Sequence, residues 1–420
     1  MERMPSFPNT VSYLAPGRMA QPLHILVDDN IPLAAEAFGR FGAVRRLPGH
    51  AITSAEITDV DVLLVRSVTR VDEALLTGSL VRFVGTATAG TDHVDEDYLL
   101  RAGIGFASAP GSNATSVVEY TLAALISTAA NLGVGMRGRT LGVVGCGWIG
   151  GAVADRAEAL GMDVLRCDPP LKMMHPQPSP YVTLEEVLAE SDFITVHTPL
   201  THAEEAHATY HLIGSSALAL MKPRAVLVNT ARGAVVDNAA LKAVLQTNAI
   251  AGAVLDVWED EPEINLELAL LVQIATPHIA GYSFDGKVEG TRMLEEALRV
   301  WLDGRAENVP SAWDVEGALG SLRDKDLILY APSVQHDLDD LKEVRWLNVL
   351  VRQAYNLSRD DTGFRQALHS SAPTARAEVF RELRRTYPIR RSWEQFTVKT
   401  VIPERLKDAV TEGLGMRVEE

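Results

Sequence analysis

The chain has 420 residues, a formal net charge of −16, 47% hydrophobic residues and 22% charged residues. This composition is typical of a globular protein with two or three domains, and the acidic balance argues against non-specific binding to nucleic acid or to anionic membranes. The two cysteines, Cys146 and Cys167, are too few for a disulfide framework or a metal cluster, and we expect no metal.

The first 22 residues contain four prolines and no continuous apolar segment, so they do not resemble a signal peptide. We expect residues 1–22 to form a disordered extension, and the sequence leaves open whether Met1 or Met19 is the true start. No apolar run approaches the roughly 18 residues of a membrane span. These features predict a cytoplasmic protein.

From residue 23 onward, short apolar runs alternate with helical patterns. Strands are predicted over residues 24–27, 44–47, 60–65, 82–85 and 104–106, with a helix over 33–41. The alternation predicts a doubly wound α/β fold, in which ligands bind at the carboxyl ends of the strands. We assign residues 23–115 together with 281–309 to a substrate-binding (lid) domain.

Three polar residues follow strand ends in this first domain: Arg66, Ser67 and Thr88. Their position makes them candidates for substrate binding. The alternative is that Ser67 and Thr88 cap helices or turns and that Arg66 is a solvated charge.

A helix over residues 116–131 is apolar nearly all round, which predicts burial between two domains, and it leads into a dinucleotide-binding motif over 140–168. The motif consists of an apolar strand, the turn Gly145-Cys146-Gly147-Trp148-Ile149-Gly150, a helix and a second strand. Gly145 permits the tight turn, Gly147 lets the backbone approach a pyrophosphate, and Gly150 lets the helix pack close to the strand. The alternative is a glycine-rich turn in some other α/β protein.

Asp168 ends the second strand of the motif. A carboxylate about 20 residues after the glycines accepts hydrogen bonds from the ribose hydroxyls of NAD, and its charge disfavours a 2′-phosphate. The expected cofactor is therefore NAD, bound by a Rossmann domain over residues 116–280.

Further strands are predicted over 193–197, 225–229, 253–255 and 274–278, with Pro-rich loops after Asp168. Arg232, Glu261 and His278 follow three of these strand ends. Because the carboxyl ends of parallel strands share one edge of the sheet, we expect the three side chains to form a site rather than to be unrelated core and surface residues.

From residue 310 the character changes, and residues 309–318 look like a boundary loop. Strands are predicted near 327–330 and 396–398, with an amphipathic helix over 338–355 and a basic helix over 376–386. We therefore expect residues 310–420 to form a smaller α+β domain. Its basic clusters are most simply a solvated or partner-facing surface; the alternative is that one Arg reaches an anionic substrate across a dimer interface.

The combination of GCGWIG (145–150), Asp168, NTARGAVVD (229–237), DVWEDEP (256–262) and Pro277-His278 resembles the NAD-dependent D-isomer-specific 2-hydroxyacid dehydrogenases. Other runs, such as VRSVT (65–69), SNATSVVEY (112–120) and HIAGY (278–282), are similar to the members of that family that oxidise 4-phospho-D-erythronate. The resemblance implies oxidation of the C2 alcohol to 2-oxo-3-hydroxy-4-phosphobutanoate in pyridoxal 5′-phosphate (vitamin B6) biosynthesis. It also implies a homodimer formed through the C-terminal domain.

The resemblance assigns roles to the three strand-end residues. His278 would take the hydroxyl proton, Glu261 would hold the imidazole, and Arg232 would bind the substrate carboxylate. Beyond the glycine motif with Trp148 and Ile149, the residues that match the family's NAD contacts are Asp168, Thr198, Thr230, Ala231, Arg232, Asp256 and Gly281. Ser67, Thr88 and Tyr282 match its substrate contacts, and we add Arg66 as a partner for phosphate or carboxylate.

Two alternatives stay open at this point. One is another phosphorylated D-2-hydroxyacid dehydrogenase, such as one acting on 3-phosphoglycerate. The other is a non-catalytic NAD-sensing protein like the family's corepressors, which can keep the same three residues.

Overall fold

The computed structural model describes residues 22–174, 179–202, 206–303, 309–319, 327–332, 338–399 and 401–419. Apart from Pro22, the predicted N-terminal extension lies outside the described residues.

The described secondary structure alternates strands and helices along most of the chain. The strands are β1 (Leu23–Asp28), β2 (Gly42–Leu47), β3 (Val62–Val65), β4 (Phe83–Thr86), β5 (Gly105–Ser108), β6 (Thr140–Val144), β7 (Asp163–Cys167), β8 (Phe193–Val196), β9 (Val226–Asn229), β10 (Gly252–Leu255), β11 (Ile274–Ala275), β12 (Leu327–Leu329), β13 (Phe396–Val398) and β14 (Arg417–Val418). The helices are α1 (Ala34–Phe38), α2 (Glu73–Leu76), α3 (Glu96–Ala102), α4 (Ala114–Leu132), α5 (Trp148–Ala159), α6 (Pro169–Met174), α7 (Leu184–Glu190), α8 (Ser215–Leu220), α9 (Asn238–Gln246), α10 (Leu266–Leu271), α11 (Phe284–Leu302), α12 (Val315–Leu319), α13 (Asp340–Ala354), α14 (Leu357–Ser370) and α15 (Arg376–Arg385).

These elements form two compact units. The first unit contains the described residues up to 113 and those from 283 to 319. The second unit contains the described residues from 114 to 282 and from 327 to 419. Three separate domains were expected. The division into lid, Rossmann and dimerisation domains stays a prediction, but in the described structure the C-terminal region clusters with the dinucleotide-binding fold.

The first unit is built on a parallel sheet with the order β2-β1-β3-β4-β5. Its central strands are buried on both faces, since Val62 and Leu64 of β3 enter one apolar cluster while Leu63 and Val65 enter another. This is why a continuous apolar run marked the strand in the sequence. The strand order reverses between β1 and β3, so Arg66 and Ser67 follow a strand at the switch point where such sheets bind ligands.

The second unit contains a six-stranded parallel sheet with the order β11-β10-β9-β8-β6-β7. Its order reverses between β6 and β8, which places the glycine motif at the switch point. The two Rossmann-like sheets and the small third sheet, β12-β13-β14, confirm the predicted fold class.

The C-terminal region packs onto this second unit through apolar and polar contacts. Trp346, Leu347 and Leu350 of α13 share one buried cluster with α4, which explains why α4 is apolar nearly all round. The Asp361 carboxylate of α14 accepts a hydrogen bond of 2.7 Å from the Ala275 N–H of strand β11. The C-terminal region therefore contacts both α4 and the six-stranded sheet directly.

Two local predictions were wrong. A loop was expected after Asp168, but helix α6 begins at Pro169, because proline is well suited to the first position of a helix. The supposed boundary loop over 309–318 contains the start of α12. Among the described residues, no helix has the length and apolar character needed to cross a bilayer.

Candidate active site

The glycine motif forms the turn that the sequence predicts. Gly145 has φ 85°, a left-handed conformation that glycine adopts without strain. A Cβ on Gly150 would lie 1.9 Å from the Gly145 carbonyl oxygen, so only glycine allows α5 to start this close to β6. Gly147 is the N-cap of α5, and its side-chain position has no atom within 4 Å. The space beside this N-cap is therefore open, as the close approach of a pyrophosphate to the helix N-terminus requires.

Asp168 follows β7, and the chain folds back to hold its carboxylate. Oδ2 accepts a hydrogen bond of 2.9 Å from the Cys146 N–H in the glycine turn. Oδ1 accepts one of 3.0 Å from the Leu171 N–H in α6. These two bonds fix the carboxylate in position. Each oxygen keeps a second lone pair, which can accept a hydrogen bond from a ribose hydroxyl.

The loop after β8 carries a buried hydroxyl without a partner. Oγ1 of Thr198 is enclosed and makes no hydrogen bond within the described chain. The adjacent His197 contacts Thr195 through Nε2 (2.9 Å) and Thr230 through Nδ1 (3.4 Å). Burial lowers the pKa of His197 to about 3, so this imidazole is neutral. An orphaned hydroxyl beside the switch point fits a bound dinucleotide, because a buried polar group without a partner is otherwise costly.

Arg232 lies on a tight loop after β9. The Asn229 side chain closes the loop, donating to the Arg232 carbonyl (2.9 Å) and accepting from the Ala231 N–H (3.0 Å). A Cβ on Gly233 would lie 1.9 Å from the Trp258 carbonyl oxygen. The loop that carries Arg232 is thus packed directly against the loop after β10.

Glu261 and His278 form the predicted pair. Nδ1 of His278 lies 2.7 Å from Oε2 of Glu261, while Oε1 accepts a hydrogen bond of 2.8 Å from the Trp258 N–H. Burial raises the pKa of Glu261, but the charge and hydrogen bond of His278 and the charge of Arg384 outweigh it, so the pKa lies below its usual value. An ionised carboxylate only accepts, so Nδ1 carries the proton and Nε2 is left as a base.

His278 has φ 56°, a left-handed conformation that is uncommon outside glycine. Asp256 holds this turn through four hydrogen bonds. Its backbone carbonyl accepts from the His278 N–H (2.7 Å). Its carboxylate accepts from the N–H groups of Ile279 and Ala280 (2.8 Å each) and from the Thr276 hydroxyl (2.6 Å). Asp256 was expected among the residues that contact NAD. The structure gives it a second task, which is to fix the turn that presents His278.

The predicted substrate residues Arg66, Ser67 and Thr88 lie in the first unit. Arg66 donates to the Ala87 carbonyl (3.1 Å), and the Thr88 hydroxyl donates to the Gly90 carbonyl (2.8 Å). No sequence pattern pointed to Lys287, which lies near Arg66 in the same unit. Burial, followed by the nearby charge of Arg66, lowers the pKa of Lys287 to about 8.

Tyr282 and Gly281 follow the His278 turn in the second unit. The Tyr282 ring contacts Arg384 of α15 and packs edge-on against Tyr387, with ring centroids 5.9 Å apart. These basic residues were predicted to form a solvated or partner-facing surface, with contact to substrate across a dimer interface as the alternative. In the structure, Arg384 lies beside Tyr282 of its own chain.

Comparison with known proteins identifies the fold. Residues 117–280 match the model of the D-isomer specific 2-hydroxyacid dehydrogenase NAD-binding domain, and residues 331–412 match a domain of unknown function. The D-lactate dehydrogenase of Aquifex aeolicus, solved with NAD and lactic acid, superposes with a TM-score of 0.57 at 26% identity, covering 67% of this chain and 96% of its own.

Full-length relatives decide the family. The erythronate-4-phosphate dehydrogenase of Salinibacter ruber is 46% identical over 94% of this chain and 99% of its own length. That of Azotobacter vinelandii is 46% identical over 90% of this chain and 95% of its own. The chain belongs to the erythronate-4-phosphate dehydrogenase family. It is an NAD-dependent oxidoreductase, as the resemblance implied.

Proposed function

We propose that the chain oxidises 4-phospho-D-erythronate at C2 to 2-oxo-3-hydroxy-4-phosphobutanoate, a step in pyridoxal 5′-phosphate biosynthesis. The observation that carries the proposal is the hydrogen-bonded pair of Glu261 and His278 (2.7 Å), held beside the loop of Arg232 at the carboxyl ends of strands β9 to β11. The full-length relatives named for this substrate support the choice of hydroxyacid.

NAD would be held by the glycine motif and Asp168 and would supply the acceptor for the hydride of C2. The side chain of His278 is 34% exposed, so the imidazole is partly accessible to a ligand. Nε2 takes the proton of the C2 hydroxyl, and the Glu261 carboxylate stabilises the imidazolium that results. Arg232 binds the C1 carboxylate through its planar guanidinium group. Its positive charge also polarises the carbonyl that develops at C2.

The remaining assignments belong to the same proposal. The glycine motif, Asp168, Thr198, Thr230 to Arg232, Asp256 and Gly281 hold NAD, while Arg66, Ser67, Thr88 and Tyr282 contact substrate. We also propose a cytoplasmic homodimer formed through the C-terminal region, where Tyr330, Val349 and Val401 expose 64%, 49% and 88% of their surfaces.

The test is NADH formation with 4-phospho-D-erythronate, 3-phosphoglycerate and D-lactate, using the wild type and His278→Ala. We expect turnover of the four-carbon phosphate that is lost in the variant. Turnover of 3-phosphoglycerate alone would overturn the substrate assignment, and NAD binding without turnover of any of them would overturn the catalytic role.

A further inference from the structure

Helix α15 lies in the segment that matches a domain of unknown function. It is anchored to the second unit by Phe380, which is fully buried and packs against the Phe364 ring with centroids 5.8 Å apart. Leu383 packs against the same apolar cluster. These two contacts fix the rotation of the helix and hence the direction of its basic side chains.

Arg384 is directed toward the active site. Its guanidinium carbon lies 5.8 Å from the ring centroid of Tyr282 and 6.0 Å from that of Phe380. Its charge also reaches Glu261. Burial raises the pKa of Glu261, His278 lowers it, and the charge of Arg384 lowers it further. Arg384 therefore lies within electrostatic range of the pair that removes the proton.

The three other arginines of the helix are engaged elsewhere. Arg376 donates to the Leu368 carbonyl (3.2 Å). Arg381 bonds to Glu378 (3.1 Å) and Arg385 bonds to Glu382, and all four side chains are largely exposed. The Nε atom of Arg384, by contrast, is buried and has no hydrogen-bond partner within the described chain. A buried guanidinium nitrogen without an acceptor is costly unless a ligand supplies one.

We infer that Arg384 binds the phosphate group of the substrate, so that the C-terminal region supplies a specificity-determining residue to the active site. The inference rests on the proposed function. Arg232 serves the C1 carboxylate, so the second anionic group needs another cation. Arg66 is one candidate but belongs to the first unit, whereas Arg384 belongs to the same unit as Glu261 and His278. The net charge of −16 means that only a local cation can provide the attraction.

The comparison with the lactate enzyme is consistent with this assignment. That protein is covered over 96% of its length while covering only 67% of this chain, so about a third of this chain has no counterpart in it. Lactic acid, with which it was solved, carries no phosphate. Helix α15 lies in the segment 331–412, which matches a domain model separate from that of the NAD-binding domain.

The experiment compares Arg384→Gln and Arg384→Lys with the matched control Arg385→Gln. We expect Arg384→Gln to lower kcat/KM for 4-phospho-D-erythronate by about 10- to 100-fold, the range for losing a charge-assisted hydrogen bond. Turnover of unphosphorylated D-erythronate and the Kd of NAD should stay within about twofold of the control. Arg384→Lys should restore part of the loss, which a purely structural change would not allow.

Equal losses with the phosphorylated and unphosphorylated acids, accompanied by a shifted pH profile, would overturn the inference, since Arg384 would then act only on the pair of Glu261 and His278. A second measurement is independent of turnover: inorganic phosphate is titrated calorimetrically into the NAD-loaded enzyme. Weaker binding by Arg384→Gln than by Arg385→Gln supports the inference even if the wild type fails to oxidise 4-phospho-D-erythronate, which would overturn the proposed function alone. Equal affinities, or no phosphate binding by the wild type, would overturn the phosphate site.

Discussion

The substitution Glu261→Gln should abolish most of the activity while leaving the fold intact. Oε1 of Glu261 accepts from the Trp258 N–H (2.8 Å), and that backbone donor cannot turn away. A glutamine must keep its carbonyl oxygen there, so its NH₂ group faces Nδ1 of His278, 2.7 Å away. Nδ1 then has to accept, and the imidazole proton moves to Nε2.

This change of tautomer removes the base. Nε2 with a proton cannot take the hydroxyl proton of the substrate, and the negative charge that stabilises the imidazolium is lost as well. Replacement of a carboxylate that sets a catalytic histidine's tautomer typically lowers kcat by about 10⁴-fold. We therefore expect a fall of about 10³- to 10⁴-fold in kcat, measured as NADH absorbance with saturating NAD and substrate.

The same loop offers a matched control. Glu259 forms a similar pair with His211 (2.6 Å) and accepts from the Asn238 N–H (2.8 Å). Glu259→Gln should change kcat by no more than about threefold, because this pair has no part in the proposed reaction. A Glu261→Gln enzyme that kept a tenth of its activity, with a normal Kd for NAD, would refute the tautomer argument.

The other predictions concern three buried or half-buried carboxylates. Asp168→Asn should raise the Kd of NAD about tenfold, near 1.4 kcal/mol, and reduce the preference over NADP, since the charge that repels a 2′-phosphate is gone; an unchanged ratio of the two Kd values in fluorescence titrations would contradict it. Asp256→Asn should lower the free energy of unfolding by about 1–3 kcal/mol in urea melts, because its amide cannot accept from both N–H groups of the His278 turn; a loss below 0.5 kcal/mol, roughly the level of a surface change, would count against it. Burial raises the pKa of Glu119 from 4.5 to about 7, against the charge of Arg390 and the Trp393 N–H. The folded chain thus keeps a proton that the unfolded chain releases, so this group's contribution to stability should fall by about 1.4 kcal/mol per pH unit between about pH 4.5 and 7. Glu119→Gln should remove that slope, and identical pH dependence in both proteins would rule the mechanism out.

The sequence by itself determined the parallel sheets and the core of the site. Strands buried on both faces appear as continuous apolar runs, so the predicted strands over 60–65 and 225–229 overlap β3 and β9. The strand predicted over 396–398 has the bounds of β13. Glu261 and His278 could be paired in advance because parallel strands end on one edge. The glycine motif needed no tertiary information, since the turn, the helix and the second strand are all local.

Only the tertiary structure decided which faces meet. Hydrophobic periodicity shows that a helix has an apolar face but not what covers it, so α13 was predicted as amphipathic while its contact with α4 was not. For the same reason the basic helix α15 was taken for a surface, although Phe380 and Leu383 direct Arg384 toward Tyr282, about a hundred residues earlier in the chain. Contacts between distant segments depend on packing, which no local pattern records.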